Sequence, residues 1–457
     1  MTPRSPRRPS ATARATKPVA RVQVGLRFGM GRHGVAVPDR VVGTLALHEG
    51  RPVFFYHDAF CLDPLPLSPF RLAVGPGPHT HDDRAFDRLP GLLADALPDG
   101  WGRRLQDRAF RRAGKRLDDI TPLDRLLAVG HAAMGALVFE PASPLLRERE
   151  STDPLAFDLG AVAAQAARLL EGSEEEVLEA VMLTGGSPGG ARPKSLIGLA
   201  AEDPVRLVAG VTPEIASGTD LALPDAYAAW LVKFANDEDR RLFGEDVGAV
   251  EAAYARVAER AGVTMPPTRL LTDATGQRHF AVQRFDRFGP GGRGRVHMHT
   301  AGGLLHASFR EPSLDYEGLL ALTWQLTGSY AEVRQMFRRM AFNVFMYNRD
   351  DHAKNFAFLM EADGLWSLAP AYDLMYSTGM GGRHTTSIGG VDDWPTLAQL
   401  SAVGRQASLE TAHIAADLDK VRSAVADVTT VLRDLGCARD TIALLTSRFD
   451  EVDRSAR

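Results

Sequence analysis

Cysteine is almost missing: Cys61 and Cys437 are the two in 457 residues. They stand far apart without Cys-x-x-Cys spacing, which excludes a disulfide framework and a cysteine-based zinc site and suits a reducing compartment. No apolar run reaches the roughly 18 residues that span a bilayer, and residues 1–20 lack the apolar centre of a secretory signal. The expectation is a cytoplasmic protein without a membrane partner. An excess of one charge is missing too. With 53 basic and 57 acidic side chains the net charge is −4, so any binding to nucleic acid or acidic lipid has to be local.

What is present is the composition of a globular chain, 45% hydrophobic and 24% charged. Its length implies about two to four domains or one two-lobed enzyme. Residues 1–20 are rich in Arg, Pro, Ser and Thr and hold no acidic residue; they cannot bury enough apolar surface to offset their ordering entropy, and a disordered basic tail is expected. Such a tail is also able to touch nucleic acid.

From Arg21 the texture becomes strand-like, in Val22–Leu26, Val41–Leu47 and Pro52–Tyr56, which read as antiparallel strands of a small sheet or barrel. Leu92–Arg112 reads as helix interrupted at Pro98–Arg104, a loop whose Trp101 is either a contact residue or packed under a turn. A polar connector near 141–153 marks a boundary. The expected regions are the tail 1–20, a β-rich subdomain over 21–145, a nucleotide-binding region over 154–300 and a helical lobe over 301–457.

Helical patterns at Leu159–Leu170 and Glu174–Met182 precede Thr184-Gly185-Gly186-Ser187-Pro188-Gly189-Gly190-Ala191-Arg192-Pro193-Lys194-Ser195. Glycines with hydroxyls and a lysine are able to wrap backbone N–H groups round phosphate. This is no Walker A loop, because Pro193 precedes Lys194, and a flexible connection is the other reading. Tyr227–Phe234 reads as a buried strand carrying Lys233 near its end. A charge there is costly unless paired or functional; the alternative is an edge-strand lysine in solvent. The helix at about 247–261 supplies Glu251. A hairpin over Pro267–Arg287 then places Gln283 to Phe285 where backbone groups meet a nucleotide base.

From Tyr316 the pattern is helical up to Met346, followed by Asn348-Arg349-Asp350-Asp351-His352-Ala353-Lys354-Asn355, two short strands and Tyr372-Asp373-Leu374. Protein kinases use H-R-D-x-x-x-x-N and then a metal-binding Asp in D-F-G. Here Arg349, Asp350 and Asn355 fill the first pattern and Asp373 the second. Phosphoryl transfer needs mainly positioning and charge neutralisation. Asp350 would accept or orient the hydroxyl proton, while Asn355 and Asp373 offer the hard oxygen ligands that Mg²⁺ prefers. Lys233 would meet the α/β-phosphates and Lys354 the γ-phosphate. The expected fold class is α+β, two-lobed and protein-kinase-like.

Together with Leu97–Arg104, Met134-Gly135-Ala136-Leu137, Gln283-Arg284-Phe285-Asp286-Arg287 and Leu368–Asp373, these motifs resemble the HipA toxin kinases of bacterial toxin–antitoxin systems, over nearly all the chain beyond residue 20. The resemblance implies Mg-ATP as co-substrate and serine/threonine phosphorylation of a protein, in known cases an aminoacyl-tRNA synthetase. It implies restraint by a small helix-turn-helix antitoxin that docks on operator DNA. It makes Asp350 and Lys354 catalytic, Asn355 and Asp373 metal ligands, and Lys233, Ser187, Gly189, Gly190, Ala191, Arg192, Lys194, Gln283, Phe285 and His352 nucleotide contacts. Ser187 falls where some members carry an autophosphorylated serine, although Pro188 stiffens the chain there and removes a donor. The tail is a second departure.

Two rivals remain. Asp350, Asp351, His352, Asp373 and His384 would also suit a two-metal phosphohydrolase, and a catalytically silent kinase fold would serve in a repressor complex. His352 also reads as a structural hydrogen-bonding residue of the loop, and His297, His299 and His384 as polar surface or loop residues.

Overall fold

The computed structural model describes residues 19–143, 159–172, 181, 189–200, 207–209 and 223–456. The expected tail 1–20 (but for its last two residues), most of the connector near 141–153, the helix at Glu174–Met182 (but for Val181) and the start of the Gly-rich segment, with Ser187, lie outside them.

The first sheet forms because Val22, Val24 and Leu26 alternate with Arg21 and Gln23, giving one buried and one wet face. Its order is Pro78–Thr80, Arg51–Tyr56, Arg40–His48, Arg21–Leu26, Leu137–Glu140, with antiparallel pairing throughout. Leu93, Leu126 and Phe139 pack with Val24, Leu45 and Phe54 in its core. The expected loop at Pro98–Arg104 is corrected: the helix Gly100–Arg112 already contains Trp101 to Arg104. Trp101 is buried in its first turn, so the proline and glycine mark a helix start, where Pro and a non-helical residue are tolerated.

The second sheet is also antiparallel, in the order Thr268–Thr272, Arg278–Gln283, Tyr227–Lys233, Lys194–Ala200, Leu207–Ala209. Tyr227–Lys233 is therefore central, which settles the edge-strand alternative for Lys233. The register sets Lys233 opposite Lys194 on one side and Phe280 on the other. The helix Val247–Arg260 lies against this sheet at Gly248, where a Cβ would stand 2.4 Å from the carbonyl oxygen of Arg278. That close approach buries Glu251 beside the strand.

A third antiparallel sheet joins His297–Thr300, Ala357–Met360 and Trp366–Leu368. Behind it the helices Tyr316–Thr327 and Tyr330–Phe345 are capped by Asp315 and Ser329, each accepting a backbone N–H, and are separated by Gly328 in left-handed conformation. They share one large core with the helices Leu397–Gln406, Thr411–Ala426, Val428–Asp434 and Arg439–Ala456, through Phe337, Met340, Phe342, Leu418 and Leu445. Among the described residues no helix is long and apolar enough to cross a membrane. Both cysteines are free thiols.

The surface reading of the histidines is overturned, although His384 does lie in a loop as expected. His297, His299 and His384 are buried. His299 Nδ1 lies 2.6 Å from Asp95 and its Nε2 3.1 Å from Ser68 Oγ, and His297 Nε2 lies 3.2 Å from the carbonyl of Leu67. These side chains knit the first sheet's region to the third sheet.

Candidate active site

Between the second sheet and the third stand four cations, Lys233, Arg192, Lys194 and Lys354, among four carboxylates, Glu251, Asp373, Asp239 and Asp99. Lys233, only 9% exposed, donates to Glu251 Oε1 and, at 2.6 Å, to Asp373 Oδ1. Arg192 donates to Asp239 at 2.8 Å and stands 3.7 Å from Glu251. Lys194 folds back onto the carbonyl of Gly189. Lys354 reaches Asp99 at 2.9 Å. Sequence order scatters these groups; the sheet register and the helix Val247–Arg260 bring them together.

The electrostatics follow from that crowding. Burial works against a charged Asp373, yet Lys233, Lys194 and Arg192 outweigh it and hold the carboxyl far below the ordinary range. Burial likewise opposes a charged Lys233, and Asp373 and Glu251 reverse this, raising its affinity for the proton. Lys194 goes the other way: burial dominates and depresses it, with Lys233 opposite adding repulsion against the pull of Asp373. Asp373 also has φ near 57°, a conformation that costs a non-glycine residue energy and that clusters at functional sites.

Asp350 opens to solvent at the cleft mouth, but the protein around it raises its pKa by desolvation; His352 pulls it down and Asp373 pushes it up. Asn355 turns its amide nitrogen to the carbonyl of Asp350 at 2.6 Å, which leaves the amide oxygen as its ligand end. Tyr372 O–H donates to the carbonyl of Lys354 at 2.5 Å, tying the segment before Asp373 to the loop.

Asp351 is a scaffold residue. Fully buried, it accepts from Tyr316 O–H at 2.9 Å and from the amides of Thr385 and Thr386 at 2.8 and 3.2 Å, and His384 Nδ1 lies 2.8 Å away. Asn348 joins the same network through Asn343 and Tyr316. His352 holds the loop through its carbonyl, which accepts the N–H of Asn355 at 2.8 Å, while its ring Nδ1 is buried without a hydrogen-bond partner and the ring lies 5.7 Å from that of Phe309. Gln283 spends its backbone N–H on Pro267, and the ring of Phe285 packs 5.6 Å from that of Tyr372.

Three residues that the sequence places in motifs, Asp99 and Trp101 in Leu97–Arg104 and Arg349 in the loop pattern, make contacts there that the motifs do not give. Asp99 accepts from Gly190 N–H and from Lys354. Trp101 donates from Nε1 to the carbonyl of Lys194 and from its backbone to Gly190, both at 3.0 Å, so the Gly-rich segment, Ala191 included, rests on the first turn of a distant helix. Arg349 lies between the rings of Tyr347 and Trp394, at 4.1 and 4.5 Å, and donates to the carbonyls of Gly382 and Asp393, which pins the segment after Asp373.

The HipA-like C-terminal domain matches residues 186–435, more than half of the chain, and the HipA N-terminal domain matches residues 34–140. The chain belongs to the HipA family. The Shewanella oneidensis MR-1 HipA, solved with HipB and its operator DNA, shares the fold with a TM-score of 0.65 at 16% identity, covering 95% of this chain and 96% of that one. The HipA fold here is thus the α+β, two-lobed, kinase-like one expected. The Helicobacter pylori proinflammatory kinase CtkA aligns with a TM-score of 0.37 at 12% identity over 50% of this chain and 85% of that one. A Haemophilus influenzae protein named "Putative kinase" is 27% identical over 138 residues, 27% of this chain. This chain spans 40% of the length of that curated relative.

Proposed function

We propose that this HipA family member is an ATP- and Mg²⁺-dependent protein kinase that transfers phosphate to a serine or threonine hydroxyl. The observation that carries the reading is the contact of Lys233 with both Glu251 and Asp373, beside a loop presenting Asp350 and Asn355. Lys233 and Arg192 supply fixed positive charge for the α/β-phosphates, and Lys354 for the γ-phosphate. Asp350 orients the acceptor hydroxyl and takes its proton. The donor set suits a hard divalent cation, because Asp373 is held ionised and Asn355 turns its nitrogen away. Mg²⁺, when bound there, neutralises phosphate charge.

The Shewanella relative is named with HipB and operator DNA. By that likeness and the family's motifs, a small helix-turn-helix antitoxin is the proposed partner, with DNA reached mainly through it and an aminoacyl-tRNA synthetase as the proposed class of target. The phosphohydrolase alternative loses ground because Asp351 and His384 are spent on each other and on the backbone.

The experiment is incubation of the purified chain with γ-labelled ATP, Mg²⁺ and a cell lysate, followed by phosphoamino-acid analysis. Label on serine or threonine, lost in Asp350→Asn, supports the kinase. Phosphate release without protein labelling overturns it.

A further inference from the structure

The motif Leu97–Arg104 lies in the N-terminal half, far in sequence from every group assigned to phosphoryl transfer, and one of its side chains enters the cleft. Asp99 sits at the N-cap of the helix Gly100–Arg112, where an aspartate ordinarily accepts a backbone N–H of its own helix. It makes no such bond. Its Oδ1 takes the N–H of Gly190 and its Oδ2 takes Lys354 at 2.9 Å. The carboxylate has given up local capping for a bridge between the Gly-rich segment and the catalytic loop.

The surrounding geometry holds it to that task. Gly100 has φ near 37°, and a Cβ there would stand 2.6 Å from both the Gly190 carbonyl oxygen and the Ala191 Cα, so the turn lies flush on the Gly-rich segment. Trp101 adds its two bonds to Gly190 and Lys194. Upstream, Asp95 is fixed by His299 at 2.6 Å and by the amide and hydroxyl of Thr300 at 2.8 and 2.9 Å. Asp99 therefore hangs from a turn anchored at both ends. Lys354, with the Phe309 ring 4.4 Å from its Nζ, is aimed by two neighbours. An ammonium has three N–H bonds, so the one given to Asp99 leaves two for phosphate.

We infer that Asp99 is a positioning residue for phosphoryl transfer: from the N-terminal half it holds the Lys354 ammonium and the Gly190 amide at the fixed spacing that receives the terminal phosphates. This rests on the kinase reading above. Its field matches the task, since burial raises the Asp99 carboxyl but Lys354, Gly190 and Lys194 outweigh that and keep it ionised. Completing the cleft with a side chain of the other half makes the N-terminal region part of the enzyme.

Asn at position 99 keeps an acceptor for Gly190 and loses the charge that aims Lys354; Ala loses both. Steady-state turnover of Mg-ATP, with myelin basic protein as acceptor and self-labelling in parallel, separates the two arms. Asp99→Asn is expected to lower kcat by about 10- to 100-fold with the KM for ATP nearly unchanged, whereas Asp99→Ala also raises KM. In a Lys354→Gln background, Asp99→Asn is expected to cost nothing further. Asp99→Glu, which keeps charge and acceptor, is expected to recover part of kcat and serves where the Asn variant fails to fold. A folded Asp99→Asn with wild-type kcat, or the same loss with and without Lys354, overturns the role. A wild-type protein that neither binds nor turns over Mg-ATP overturns the kinase reading, and the inference with it.

Discussion

Lys233 Nζ and Asp373 Oδ1 lie 2.6 Å apart across 140 residues of sequence. The pair joins the central strand of one sheet to the segment leaving another, so the two sides of the cleft meet at one ion contact, with Glu251 as the third member. A lysine buried to this degree is stable only because both carboxylates accompany it.

Replacing Lys233 by Met is therefore expected to do two things. Turnover of Mg-ATP falls by about 10²- to 10³-fold, the loss typical of removing one fixed charge from a preorganised site. Stability falls by about 3 kcal/mol, because Glu251 is left buried without the lysine that accompanies it. Urea unfolding of the variant beside the wild type checks the second effect independently of the first.

Asp286 predicts an acid-sensitive staple. It is fully buried and accepts from Arg284 at 2.9 and 2.7 Å, Arg287 at 2.7 Å and Gly135 N–H at 2.7 Å. Burial raises its carboxyl, but the two guanidiniums outweigh it and hold the pKa well below the ordinary value. A depressed folded-state pKa gives stability that is present above the unfolded value near 4 and is lost as pH falls through the folded one. Asp286→Asn is expected to cost about 3–5 kcal/mol at pH 7. That deficit should shrink as the pH is lowered below 4. Chemical denaturation across the pH range reads the difference; a gap independent of pH would count against the ion triad.

Adjacent aspartates should part company. Asp351→Asn is expected to lower the melting temperature clearly, since it disturbs acceptors for Tyr316, Thr385 and Thr386. Its remaining folded fraction should still bind Mg-ATP. Asp350→Asn should keep the fold and lose the chemistry. Melting curves and nucleotide binding on both variants decide the assignment, and an Asp351→Asn protein as stable as wild type would contradict it.

Much of this was legible in sequence because the groups sit in short fixed patterns. Asp350 and Asn355 share one loop, Lys233 ends an apolar strand, and Glu251 follows within 18 residues on the helix Val247–Arg260, so local spacing announces them. Asp99 was not legible, since its role depends on Gly190 and Lys354, and an aspartate before a helix ordinarily reads as a cap. The histidines misled for the same reason. His299 looks polar and exposed until Asp95, 204 residues away, and Ser68 are placed beside it. The helix start at Gly100 was hidden by a proline and two glycines that read as a break, whereas burial of Trp101 against Lys194 decides the local conformation. Ser187 and the glycines before Gly189 lie outside the described residues.

The most direct test of the central claim is a single-turnover measurement of phosphoryl transfer from Mg-ATP, with ATP affinity determined on the same preparations of wild type and Asp350→Asn. A phosphotransfer site built on Asp350 predicts equal ATP affinity and transfer slowed by about 10²-fold or more in the variant. Equal transfer rates in the two proteins, or a folded wild type that binds no Mg-ATP, would contradict it.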